Sequence, residues 1–217
     1  MLLTLALCSG PAVASEPSDI CRESARTAAA QAGVPEEVLL AITLTETGRT
    51  IGGRLQPWPW TVNADGEGHW FPDRDTAIRF ADNLLRNGQP SFDVGCFQIN
   101  YRWHGDSFGS AAAMFEPATN ALYAARFLAG LARDRDGWSS AAGAYHSRTP
   151  ALAARYRARF DSILADIGTR PTQGEPGPER AAPPASATPG YEHPLLRARD
   201  APRTPGSLVP LAQVPTT

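Results

Sequence analysis

Apolar residues recur along most of the chain with the 3.6-residue period of helices. A first helix is predicted from about Asp19 to Ala32, capped by Ser18 or Asp19 and stopped by Gly33. Pro35 suits the first position of a second helix, and Glu36 and Glu37 complement its positive end. Gly48 reads as the residue just past that helix. Between them, "VLLAITLTET" is apolar on every face, the pattern of a buried helix. Trp58, Trp60 and Val62, then Trp70 and Phe71, flank Asp65-Gly66 and predict a hairpin. A helix over about Asp75–Asn87 carries Ile78, Phe80, Ala81, Leu84 and Leu85 on one face, with Gly88 as its stop. "SFDVGCFQIN" reads as extended or irregular. A helix-rich run follows: a short piece near Ser110–Phe115, a long helix from Pro117 to about Arg133, and a helical turn around Trp138–Tyr145. The last helix runs from Pro150 to about Ile167, capped by Thr149 and stopped by Gly168. The fold class expected is mainly α, an α+β domain with a small β-hairpin region.

Periodicity ends near Arg170. Residues 169–217 contain more than half of the chain's 20 prolines and read as a disordered or loosely extended tail. Tyr191, Leu195 and Leu196 are its only anchor-like residues. At the other end, "MLLTLALCSGPAVAS" has the apolar core and Ala12-Val13-Ala14 cleavage site of a secretory signal over residues 1–14, without the usual basic start. The bulky Leu7 before Cys8 argues against a lipid anchor there. The folded domain is expected over residues 18–168. The 217 residues, 42% hydrophobic and 19% charged, suffice for one domain with a real core. Net charge is −2, which points to neither nucleic acid nor an anionic membrane surface. No segment spans a membrane. Every basic residue is arginine, read as a compositional bias rather than a site. Removal of Cys8 with the signal leaves Cys21 and Cys96. An even count in an exported protein invites a disulfide, the alternative being two buried free thiols.

One residue contradicts the pattern around it. Glu46 falls on the stripe of Val38, Leu39 and Ile42, in the last helical turn, where the dipole disfavours negative charge. Both surroundings are expected to raise its pKa, which suits a general acid. Gly95 offers close backbone approach. Gln98 and Asn100 offer amides, and Tyr145 a hydroxyl. With Trp58, Trp60, Trp70, Phe97 and Trp103 they describe a saccharide or small-molecule cleft. His69, His104, His146 and His193 lack metal-ligand spacing, and no glycine-rich phosphate loop occurs, so neither metal nor cofactor is expected.

In order, Glu46-Thr47, Gly95-Cys96-Phe97-Gln98-Ile99 and Ala144-Tyr145-His146 stand where a known family has Glu-Ser, Gly-Leu-Met-Gln-Ile and Ala-Tyr-Asn. Over roughly Ile20–Ile167 the chain resembles lytic transglycosylases of the soluble-lytic-transglycosylase type. "LTETGR", "PWPWTVN" and "AAGAYHS" resemble the branch associated with flagella and other envelope-spanning machines. The resemblance implies a lysozyme-like fold with its hairpin beside the active-site cleft. It also implies a periplasmic, monomeric enzyme acting on peptidoglycan glycan strands. Glu46 would be the catalytic acid and then base, with Thr47, Phe97, Gln98, Asn100 and Tyr145 binding substrate. The implied reaction cleaves the bond between N-acetylmuramic acid and N-acetylglucosamine without water, leaving 1,6-anhydro ends. The tail is read first as a plain tether, the alternative being a segment that recruits an envelope-machine protein.

The departures carry expectations of their own. Thr47 keeps a hydroxyl for a helper hydrogen bond to the acid. Phe97 makes an apolar wall rigid, and Cys96 fits a bridge to Cys21. His146 replaces an amide, so the family's role does not transfer to it. The Tyr145 hydroxyl is expected on Glu46 or on the sugar. Two other functions compete. One is a muramidase that positions water with Asp65, otherwise a turn residue, or Asp93, otherwise an Asx-type loop residue. The other is an inactive peptidoglycan-binding assembly protein, against which the presence of Glu46 argues.

Overall fold

A computed structural model of the protein describes residues 16–169. The expected signal segment, 1–14, and the tail expected from residue 169 lie, but for Thr169, outside the described residues. The first helix, α1, spans Pro17–Ala32. It starts two residues before Asp19 because Pro17 takes the first helical position with its missing N–H at no cost. Ser18 and Asp19 therefore lie inside its first turn. Cys21, Ala25, Ala28 and Ala29 form its buried face. The second helix, α2, spans Glu36–Thr47 with Pro35 as its N-cap rather than its first residue. All of Val38, Leu39, Ala41, Ile42, Thr43, Leu44, Thr45, Glu46 and Thr47 are buried, as the all-round apolar run requires.

Gly48 follows α2 as expected, in an extended conformation, φ −60°. Glycine is needed there for space. A Cβ would collide with the Leu44 carbonyl oxygen and stand 3.0 Å from Leu55 Cδ1.

Two strands unforeseen in the sequence follow, β1 (Arg49–Ile51) and β2 (Arg54–Gln56), paired antiparallel around Gly52-Gly53. The expected hairpin is β3 (Thr61–Ala64) against β4 (Glu67–Trp70), with Thr61 opposite Trp70 and Ala64 opposite Glu67. Its Asp65-Gly66 turn has φ 53° and 79°, both positive, as a two-residue hairpin turn demands. Helix α3 (Arg74–Arg86) is capped by Asp73, whose carboxylate accepts from Thr76 N at 2.7 Å. "SFDVGCFQIN" forms a second hairpin rather than irregular chain: β5 (Phe92–Val94) against β6 (Ile99–Asn100). The sheet order is β4-β3-β5-β6. Asp93 is thus a strand residue, placed between Asn63 and Asn100 across the sheet, and not an Asx-type loop residue.

The remaining helices are α4 (Tyr101–His104), α5 (Ala111–Met114), α6 (Pro117–Arg133), α7 (Gly137–His146) and α8 (Pro150–Thr169). Gly168 does not stop α8, which runs one residue past it. Helix α1 packs on α6 and α2, α8 packs on α2 and α7, and α6 packs on α7. The described residues thus form a mainly helical fold with a small antiparallel β region. Helix α2 lies in the core, and its C-terminal end carries Glu46.

Candidate active site

Glu46 is 2% exposed. Its Oε1 accepts a hydrogen bond of 2.9 Å from the Tyr156 hydroxyl of α8. Tyr156, Phe160 and Ile163 are the buried residues of α8, a helical stripe that packs toward α2. Burial, and then the negative charge of Glu46, push the Tyr156 phenol well above its ordinary value, so it stays a donor. Arg159 lies nearly one turn further along. Burial pulls its cation below the usual guanidinium range, opposed by the charges of Tyr156 and Glu46. The site holds a buried carboxyl bonded by a neutral phenol, with a guanidinium behind them.

Beside it runs the β5–β6 turn, Gly95 to Gln98, whose backbone groups are satisfied from four directions. Gly95 N donates to Thr61 O at 2.9 Å. The Cys96 carbonyl accepts from Thr43 Oγ1 at 2.8 Å and Thr47 Oγ1 at 3.4 Å, both on α2. Phe97 N donates to Asn120 Oδ1 at 3.0 Å, and Asn120 Nδ2 donates to Val94 O at 3.2 Å, both from α6. The Phe97 carbonyl accepts from the Tyr145 hydroxyl of α7 at 2.8 Å. Cys21 and Cys96 form the expected disulfide, with Cα atoms 5.6 Å apart, which fastens the turn to α1. Buried backbone polar groups need partners, and here strand β3 and three helices supply them.

This wiring changes the expected roles. Thr47 spends its hydroxyl proton on the Cys96 and Thr43 carbonyls and accepts from Trp58 N at 3.1 Å, so it gives no helper bond to Glu46. The Tyr145 hydroxyl goes to the Phe97 carbonyl and not to Glu46. Tyr145 is fully buried. Burial, then the charges of Glu46 and Asp93, hold its phenol far above the usual value. Gly95, φ 78°, approaches the Asn120 side chain, which a Cβ would meet at 3.0 Å, rather than open space for a ligand.

Phe97, Gln98 and Asn100 are buried as well. Asn100 donates to Asp93 Oδ1 at 2.8 Å and accepts from Trp103 N at 3.3 Å. Gln98 holds a left-handed backbone, φ 47°, and donates to Gly95 O at 3.1 Å. Its Oε1 is buried with no protein partner. It is the one amide of the expected set with an open acceptor. The structure therefore gathers Glu46, Thr47, Phe97, Gln98 and Tyr145 in one neighbourhood, but as layers behind the carboxyl more than as an exposed lining.

Among the aromatics, Trp58 donates through Nε1 to Phe71 O at 2.8 Å and carries the Arg49 guanidinium 4.8 Å from its ring. Trp103 is exposed, with Arg102 over one face. Asp65 is exposed at its turn, while Asp93 is buried and bonded to Asn100. Among the described residues no group of three or more His, Cys, Asp or Glu gathers as a metal site. No described helix is long and apolar enough to cross a membrane.

Sequence reasoning missed Tyr156 and Asn120. A tyrosine on an apolar stripe demands a partner for its hydroxyl, and the stripe of Tyr156, Phe160 and Ile163 was a signal of that kind. Asn120, a buried amide at the end of the first turn of α6, was a similar signal. Comparison of the chain with protein families, curated proteins and solved structures found no match.

Proposed function

We propose that the protein is a peptidoglycan lytic transglycosylase, with Glu46 as its single acid and base. The observation that carries this reading is one buried carboxyl, 2% exposed and held by a phenol at 2.9 Å. Asp93 is committed to Asn100, and Asp65 sits exposed in a turn. Hydrolytic glycosidases mostly need two carboxyl groups across the scissile bond. A transglycosylase needs one, because the substrate supplies its own nucleophile.

The Glu46 carboxyl gives its proton to the glycosidic oxygen, and the bond from C1 of the muramic sugar to that oxygen breaks. Positive charge develops at C1. The carboxylate then takes the proton of the C6 hydroxyl, whose oxygen bonds to C1 and closes the anhydro ring. Glu46 ends protonated, and no water is consumed. The Tyr156 hydroxyl aims the carboxyl and stabilises its ionised interval. A glycan substrate places the enzyme in the periplasm, an oxidising compartment compatible with the Cys21–Cys96 bridge.

Mass analysis of purified glycan after digestion tests the reading. The expected product ends are one water lighter than reducing ends. Glu46→Gln should lower turnover by roughly 10²–10⁴-fold with the fold intact. Reducing ends in place of anhydro ends would reassign the protein as a muramidase, and a fully active Gln variant would remove Glu46 from the chemistry.

A further inference from the structure

The imidazole of His146 lies face to face with the Tyr156 ring, centroids 4.7 Å apart and planes 12° from parallel. His146 closes α7, and Tyr156 sits on the neighbouring α8. At the far end of the same tyrosine, the hydroxyl donates to Glu46 Oε1. The second side-chain torsion of a tyrosine is soft. Turning that torsion leaves the hydroxyl oxygen on the rotation axis but swings the O–H bond, which prefers the ring plane, so the direction in which the hydroxyl donates is set by what packs on the faces of the ring.

We propose that His146 is a positioning residue: its imidazole fixes the tilt of the Tyr156 ring and, through the Tyr156 hydroxyl, the direction of the Glu46 carboxyl. The inference rests on the reading of Glu46 as the acid. It gives a role to a position where the chain departs from the Ala-Tyr-Asn motif, since an asparagine has no ring face to offer. Burial, and then the nearby Arg155, lower the His146 pKa to about 4. The ring is accordingly neutral at neutral pH, and it stacks without adding a cation beside the carboxyl.

The test compares His146→Leu, His146→Phe, Tyr156→Phe and the double variant His146→Leu/Tyr156→Phe on purified peptidoglycan glycan. Leucine fills comparable volume without a flat face, and phenylalanine restores the face. His146→Leu should lower kcat roughly 5- to 20-fold at unchanged KM, and His146→Phe should stay within about twofold of the parent. In the Tyr156→Phe background His146→Leu should cost nothing further, because the hydroxyl it steers is gone. A second readout needs no catalysis. The Glu46 carboxyl carbon signal, followed by ¹³C NMR, should shift in His146→Leu in the same sense as in Tyr156→Phe. Fully additive losses in the double variant, or an unmoved Glu46 signal in His146→Leu, would overturn the proposal. A moved signal in a protein that leaves glycan intact would support the positioning role and sink the transglycosylase reading alone.

Discussion

Tyr145 and Tyr156 are both fully buried, yet their hydroxyls serve different ends. Tyr156 reaches the carboxyl, whereas Tyr145 reaches the carbonyl of Phe97. Removing the second contact leaves a buried acceptor without its donor, a loss of roughly 1–3 kcal/mol. Tyr145→Phe should therefore lower the melting temperature and change turnover per folded molecule less than Tyr156→Phe does. Parallel melts and kcat measurements decide this, and a Tyr145→Phe protein with parental stability and collapsed turnover would place the hydroxyl on substrate after all. The anomaly at Glu46 was legible because a carboxyl among Val38, Leu39 and Ile42 breaks a local pattern. Its partner was not, because Tyr156 stands 110 residues away and helical periodicity says which face is buried without saying against what. The same limit misplaced Tyr145: motif order put it near the acid, and only the packing of α7 on the β5–β6 turn shows which oxygen it meets.

Elements were readable where they carried their own punctuation. Helix α3 stops before Gly88, α6 starts at Pro117, and β3–β4 turns at Asp65-Gly66. Strands β1 and β2 have three residues each, too short for alternation to register. Strands β5 and β6 are joined by Gly95-Cys96-Phe97-Gln98, which lacks a turn dipeptide and forces Gln98 to φ 47°. Such a turn holds its shape through partners supplied by other elements, so no local reading finds it. Asn120 of α6 supplies two of them. Asn120→Ala should strand the Phe97 N–H and the Val94 carbonyl and cost roughly 2–4 kcal/mol in all. Asn120→Asp keeps the acceptor for Phe97 N and should be milder. Urea titration of the three proteins checks the order, and an Ala variant as stable as the parent would mean that the turn is fixed without α6.

Across the whole molecule, two features tie stability to the surroundings. The Cys21–Cys96 bridge spans 75 residues, and loop closure of that length is worth about 4.5 kcal/mol in the unfolded chain. Reduction should lower the melting temperature sharply, and equal melts with and without reductant would show that the bridge contributes little. The second feature is a pair of histidines, His104 buried and His146 half-buried. His104 is 4% exposed, its Nδ1 is 2.6 Å from the Tyr123 hydroxyl, and its Nε2 is buried without a partner. Burial lowers its pKa to about 4, and burial with Arg155 lowers that of His146 to about 4. An unfolded histidine titrates near 6.5. Between about pH 6.5 and 4 the unfolded chain binds protons that the folded chain refuses, so stability rises with pH across that window. The contribution is complete above about pH 6.5 and is lost as pH falls toward 4. Its size is on the order of 3 kcal/mol for a deeply buried ring, and less for His146, which keeps some solvent access. Denaturant titrations at pH 7, 5.5 and 4.5 should show a progressive fall in unfolding free energy. His146→Phe combined with His104→Gln should flatten that slope, whatever the pair does to absolute stability. A parent protein equally stable at pH 7 and 4.5 would mean that both rings charge in place, with water or a carboxylate reaching them in the folded state.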